Sequence, residues 1–250
     1  METKSILLVG VGGQGSRLIV TNALVRSEDL SQADTFNAAY PAYASMTNSL
    51  VVGRGARGIL EIEAGSVISN RLQVGQHGNA IWDAASFGAV RQRGGQMVAV
   101  DPNGSFTKGN VLGGGQSCGG YYELVDGALV SHGCFSVGLS GVGVLWMRGG
   151  SLTVTNILDT SSLGKFELGS FNGGHGSFRV SGGAFRYCGD ADVFVGRGWT
   201  SGAVQVLTVD GASGDCDFGN ARVNFGYGNC GGSTFCVNLN GGVLTASEFY

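Results

Sequence analysis

Apolar residues recur along this chain in short alternating runs broken by glycine, and nowhere on the three-and-four spacing of a helix face. The runs are copies of one pattern. "LLVGVGGQGSRLIVTNALV" from Leu7 aligns with "LVVGRGARGILEIEAGSVI" from Leu50, "FSVGLSGVGVLWMRGGSLTV" from Phe135, "FELGSFNGGHGSFRVSGGAF" from Phe166, "VFVGRGWTSGAVQVLTVDGAS" from Val193 and "VNFGYGNCGGSTFCVNLNGGVL" from Val223. Two looser copies start at Leu72 and Asn110, making eight. Each reads as short strand, glycine turn, strand, glycine corner, short strand.

The middle strand can be aligned on its corner pair, at 64–65, 94–95, 126–127, 149–150, 182–183, 210–211 and 241–242. Two residues before the pair stand Ile62, Gln92, Leu124, Met147, Val180, Thr208 and Leu239; four before stand Leu60, Val90, Tyr122, Leu145, Phe178, Val206 and Val237. These mostly apolar columns predict the buried face. Between them lie mixed columns, Glu61, Arg91, Glu123, Trp146, Arg179, Leu207 and Asn238, then Glu63, Arg93, Val125, Arg148, Ser181, Val209 and Asn240, which predict the outer face. Past the corner, Val67, Met97, Leu129, Leu152, Phe185 and Leu244 predict a third inward column, which Ser213 breaks. Stacking at one coil per strand spacing would set Glu61, Arg91 and Glu123 up one ladder of alternating sign, with Glu63 meeting Arg93 in the next.

A copy with one apolar face and no helix to cover it buries that face by stacking on its neighbours. The prediction is an all-β fold, a right-handed parallel β-solenoid of about eight coils forming one domain over residues 1–250, part of a longer repeat array. Forty-seven glycines against two prolines fit it, since the corners need positive φ. The surplus length is expected in insertions at 26–48 and 101–109, which hold Pro41 and Pro102.

These coils resemble the autotransporter-passenger-like β-strand repeats of bacterial surface and secreted proteins. The carriers are Gly53, Gly138, Gly169, Gly196 and Gly226 with the corner pairs Gly94-Gly95, Gly149-Gly150, Gly182-Gly183 and Gly241-Gly242. The resemblance implies an extracellular or cell-envelope scaffold, adhesin or stalk. The start "METKSILLVG" shows no signal-peptide pattern, and six cysteines are many for that class.

The stretch "GVGGQG", Gly10 to Gly15, also resembles the amino-terminal loop of gamma-type subunits of 2-oxoacid:ferredoxin oxidoreductases. That likeness implies a phosphate held at a helix start. Just beyond the loop, Leu18, Ile19, Val20 and Thr21 are mostly β-branched, so the residues themselves predict a solenoid corner leading into a strand.

Net charge is −3 and charged residues are sparse, which argues against nucleic acid as a partner; no apolar run is long enough for a membrane helix. Cys118, Cys134, Cys188, Cys216, Cys230 and Cys236 form no C-x-x-C pair, and His77, His132 and His175 do not cluster with them, so neither metal nor cofactor is expected. Disulfides and buried thiols both remain open, with Cys230–Cys236 the first pair to test. Asp190, Asp192, Asp215 and Asp217 are the carboxylates a polysaccharide-cleaving solenoid would use, and the expected reading is solvated loop charge. Tyr121 and Trp146, outward in adjacent coils, are candidate glycan contacts. The expected function is a non-enzymatic scaffold or adhesin-like repeat whose partners are surface glycans, neighbouring proteins or further coils. A carbohydrate-active solenoid, binding or cleaving glycans, is the alternative.

Overall fold

The computed structural model describes residues 2–3, 7–11, 15–27, 49–76, 86–100, 109–155, 165–170, 173–189, 191–197, 202–228 and 231–250. Pro41 and Pro102 lie outside them. Every described element is a strand, and the strands stack into three parallel sheets. A coil visits the sheets in turn. In coil 1 the strands are Leu7–Val11 (sheet 1), Ser16–Val20 (sheet 2) and Ala23–Ser27 (sheet 3); in coil 5 they are Phe135–Val137, Val142–Met147 and Ser151–Thr155. The order repeats to coil 8, Arg222–Tyr227, Thr234–Asn240 and Val243–Thr245, with Glu248–Phe249 beyond it in sheet 1. This is a parallel β-solenoid, and Ser16–Val20 is a strand where a nucleotide-binding loop would need a helix.

One core runs through the coils. Ile62, Gln92, Leu124, Met147 and Val180 are register partners in succession, as are Val67, Met97, Leu129, Leu152 and Phe185. The third column, on sheet 1, joins Phe135 to Phe166, whose rings lie parallel at 6.2 Å. Phe166, Phe178, Phe185 and Phe218 then pack at centroid distances of 5.0–6.1 Å. Polar residues enter this core with partners. Gln92 donates to the Gly95 and Ala128 carbonyls and accepts from the Tyr122 hydroxyl at 2.6 Å, while Asn110 accepts from the Leu72 amide and donates to Ser131 Oγ.

Coil 7 departs from the predicted columns. The register pairs Val180 with Val209 and Phe178 with Leu207, so Leu207 and Val209 face inward while Val206 and Thr208 face out. The corner after them is two residues longer than in coil 6, which brings Cys216, and not Ser213, under Phe185. The apparent break in that column is an insertion, and a buried thiol fills the position.

The surplus length also falls in more places than two. Arg26 and Ser27 belong to a strand, and long connections at 28–48, 77–86, 101–109 and 156–165 all lead into or out of sheet 1. Sheets 2 and 3 are joined in every coil by short turns. The outward column of sheet 1 is buried: Val51, Gln73, Val111, Ser136 and Glu167 are each at most 2% exposed. Sheets 2 and 3 carry the exposed faces.

Glycine sets the corner between sheets 1 and 2. Gly53 turns the chain with φ +75°, and a β-carbon there would lie 2.3 Å from the Phe87 carbonyl oxygen of the next coil. One step on, a β-carbon on Gly58 would lie 2.0 Å from the Val9 carbonyl oxygen of the coil before. Gly88, Gly120, Gly143 and Gly176 repeat that second position in register. Both neighbours are backbone and cannot move aside. Gly58→Ala is therefore expected to lower the unfolding free energy by about 3 kcal/mol. Gly202→Ala, at φ +69° with open space around it, should cost only about 1 kcal/mol. Guanidinium unfolding of the two variants checks the contrast, and equal losses would refute it.

Candidate functional site

The outer face of sheet 2 carries the two aromatic candidates, Tyr121 and Trp146, and the charge ladder of Glu61, Arg91 and Glu123. Its strands are wide and pair in unbroken register from coil 1 to coil 8, so side chains two residues apart form columns parallel to the solenoid axis. Phe87, Val142 and Val204 stand in the first outward column and are 47%, 49% and 42% exposed. Tyr121 and Val144 stand in the second; Glu61, Arg91, Glu123, Trp146 and Arg179 in the third.

Tyr121 and Trp146 come together as diagonal neighbours. Tyr121 pairs with Val144, and Trp146 is two residues further along that strand. Phe87 extends the same diagonal downward, since it pairs with Gly119, two residues before Tyr121. The three rings thus form one row across coils 3, 4 and 5. Phe87 escapes the sequence reading because its coil is one of the two loose copies; its place two residues before Ala89 and four before Arg91 is the available signal.

Charged groups flank the row in pairs. Glu123 forms an ion pair with Arg91 at 2.9 Å and accepts from Arg148 at 3.1 Å; Arg93 meets Glu63, Arg17 meets Glu61 and Arg179 meets Asp210. The register of the expected ladder is observed, with Arg91 between Glu61 and Glu123, although Glu61 takes Arg17 as its ion-pair partner. Trp146 is held on three sides. Its Nε1 donates to Ser181 Oγ at 2.9 Å, and the guanidinium carbons of Arg148 and Arg179 lie 5.0 and 5.2 Å from its ring centre. Partial burial and the Glu123 charge push the Tyr121 phenol up, and the carboxylate pair to Asp210 pushes Arg179 up.

The carboxylates that a cleavage site would use do not join this face. Asp215 and Asp217 lie on sheet 3 and share Arg186, with Asp217 at 3.8 Å; Asp192 accepts from Asn224 at 3.0 Å at the edge of sheet 1. Asp190 lies outside the described residues. His132 pairs with Thr155 Oγ1 on sheet 3, and burial holds its pKa down. His175 Nδ1 accepts from the Val204 amide on sheet 2, and His77 falls outside the described residues. No group of three or more metal-ligating side chains occurs among the described residues.

The five described cysteines, Cys118, Cys134, Cys188, Cys216 and Cys236, form no disulfide. Cys236 is among them, with Sγ 3.3 Å from Asn238 Oδ1, so it makes no disulfide; Cys230 is outside the described residues. Burial pushes the Cys118 and Cys216 thiols up, while Cys188 is exposed. No protein-family model, curated protein or solved structure matches the chain.

The ladder and the thiols can each be probed directly. Arg91→Glu would set three carboxylates on consecutive rungs and should destabilise the fold by about 1 kcal/mol at low salt, with the loss shrinking as salt is added. Wild-type melting at low salt would contradict the register. Native alkylation and mass spectrometry should show Cys188 labelled first, with Cys118, Cys134 and Cys216 reacting only after unfolding.

Proposed function

We propose that this chain is a non-enzymatic scaffold, the rod-forming, adhesin-like repeat region of a cell-surface or secreted protein. The observation that carries the reading is the disposition of ionisable side chains on the outer faces. They are dispersed as ion pairs from rung to rung, Arg17 with Glu61, Arg93 with Glu63, Glu123 with Arg91 and Arg148, Arg179 with Asp210, Arg186 with Asp215, and Arg222 with Glu248. Bond cleavage requires at least two such groups converging on one reacting atom, with protonation tuned to the task. Among the described residues with displaced protonation, Tyr122 and Cys216 are shifted by burial in the core, His132 by burial on sheet 3 of coil 4, and Arg186 by its ion pair with Asp215. What the arrangement does supply is length and surface, since eight coils at the strand spacing make a rod of about 40 Å.

The test is a pair of measurements on the purified chain and its host. Incubation with pectin, alginate and xylan should release no product, and an antibody to the chain should label unpermeabilised cells. Turnover that is abolished by Asp190→Asn, Asp192→Asn, Asp215→Asn or Asp217→Asn would place the protein among carbohydrate-cleaving solenoids instead. Labelling only after permeabilisation would refute the surface location.

A further inference from the structure

The geometry points to the open end of the last coil as a docking face for a second copy of this chain, the two rods meeting tail to tail about a twofold axis. Such a junction goes beyond the scaffold reading and does not depend on it. The two ends of the solenoid differ. In coil 1 the inward residues Leu7, Val9, Val20 and Val25 are at most 9% exposed, so that end offers no open core. In coil 8, Val237 and Leu239 pair with the buried Leu207 and Val209, and Phe249 pairs with the buried Val223, so all three occupy core positions. They are 38%, 59% and 49% exposed, because all three sheets end at this coil. The outer edge of Thr234–Asn240 likewise has no strand beside it among the described residues.

Charge and pattern select the occupant. Exposed edge strands ordinarily carry a charge or a proline that discourages pairing, yet residues 223–247 contain no Asp, Glu, Lys, Arg or Pro. Two such edges meet without repulsion. Thr234–Asn240 is also complementary to itself run backwards. Antiparallel pairing centred on Val237 sets Val237 opposite its counterpart and Phe235 opposite Leu239 on the inward face, with Cys236 opposite Asn238 and Thr234 opposite Asn240 outside. A shift of one residue would put each apolar side chain opposite a polar one. A twofold axis through Val237 and normal to sheet 2 keeps the inward faces inward. It lays Glu248–Phe249, the last strand of sheet 1, over Val243–Thr245, the last strand of sheet 3 in the other copy, so that Phe249 meets Leu244. Coil stacking then continues across the junction with the core unbroken. At about 3.3 Å per residue and about 10 Å across a sheet, the end of a coil spanning residues 231–250 covers roughly 600 Å², so the pair buries about 1,200 Å², the lower end of the range for specific interfaces. Because coil 1 is closed, association stops at two copies.

The experiment is sedimentation equilibrium of the full chain under reducing conditions, at concentrations from about 1 to about 100 μM. A monomer–dimer equilibrium with a dissociation constant of about 10 μM or tighter is expected. Leu239→Arg would bury an unpaired charge at the junction and should weaken the dimer at least about tenfold, whereas Ile19→Arg, on the outer face of coil 1, should leave it unchanged. Both positions are half exposed, and circular dichroism identifies which variants are folded. The register has its own readout. Asn238→Cys, oxidised with copper phenanthroline, should link its new thiol to Cys236 of the second copy, identified by mass spectrometry of the joined peptides. A chain that stays monomeric at the highest concentration would overturn the pairing and leave the end to a further coil or a different protein. Growth beyond the dimer, a dimer that survives in folded Leu239→Arg, or absence of the link to Cys236 would each overturn the assignment as well.

Discussion

A carbonyl oxygen occupying the place of a missing β-carbon governs the rest of this structure. At the corner between sheets 1 and 2, the backbone of each coil presses against glycine in the adjacent one, Val9 on Gly58 and Phe87 on Gly53. The approach lets sheet 2 leave sheet 1 at a sharp angle while both ladders stay hydrogen-bonded, as where the Gly113 amide donates to Val74 and the Gly138 amide to Leu112. Where the glycine column ends, side chains enter in an ordered way. Gln205 and Phe235 take the position, and their atoms lie against Gly169 and Gly196, which have no side chains of their own. The corner thus keeps its shape through coils 7 and 8 although the residue that occupies it has changed.

Polar contacts then fix which rung meets which. Hydrophobic columns tolerate sliding by a whole repeat position more readily than hydrogen bonds do, because burial has no direction. Gln92 and Tyr122 join coils 3 and 4 inside the core, and Asn110 ties coil 4 back to Leu72 and across to Ser131. On the outside, Arg93–Glu63 and Arg148–Glu123 add the same information at lower energetic weight. Both faces of sheet 2 agree on one register, which sets Phe87, Tyr121 and Trp146 in successive outward columns of successive coils.

Most of this fold is legible in the sequence, because a period-two pattern repeated eight times is hard to produce by anything except stacked strands. The columns through Ile62, Leu124, Met147 and Val180 hold in the structure, as do the outward places of Tyr121 and Trp146. Coil 7 differs from its expected register for a physical reason. Its middle strand, Val204–Asp210, carries apolar residues on both faces, so Val206 with Thr208 looks as plausible an inward set as Leu207 with Val209, and the Asp210-Gly211 corner reads like Asp126-Gly127 of coil 4 although it is two residues longer. The burial of sheet 1's outward column is not legible at all. Gln73, Ser136 and Glu167 are polar and look like surface residues, and nothing in a single coil's pattern says that they are covered. The aromatic row is half visible, since a diagonal needs the strand register as well as the columns.

The short turns between sheets 2 and 3 and the repeated glycine corner have an evolutionary consequence. A coil meets mainly the coils above and below it, and equivalent positions in different coils have the same backbone geometry, Gly53 and Gly138 with φ +75° and +78° among them. Unequal exchange between two copies of the gene that joins the codon for Gly53 to the one just after Gly138 would delete whole coils and leave every column continuous; the reciprocal product would duplicate them. An exchange between non-equivalent positions would put side chains where carbonyls must pass. The fold therefore favours lineages that change length in whole coils, and the face carrying Phe87, Tyr121 and Trp146 could be shortened, extended or repeated by recombination without any change to the architecture beneath it.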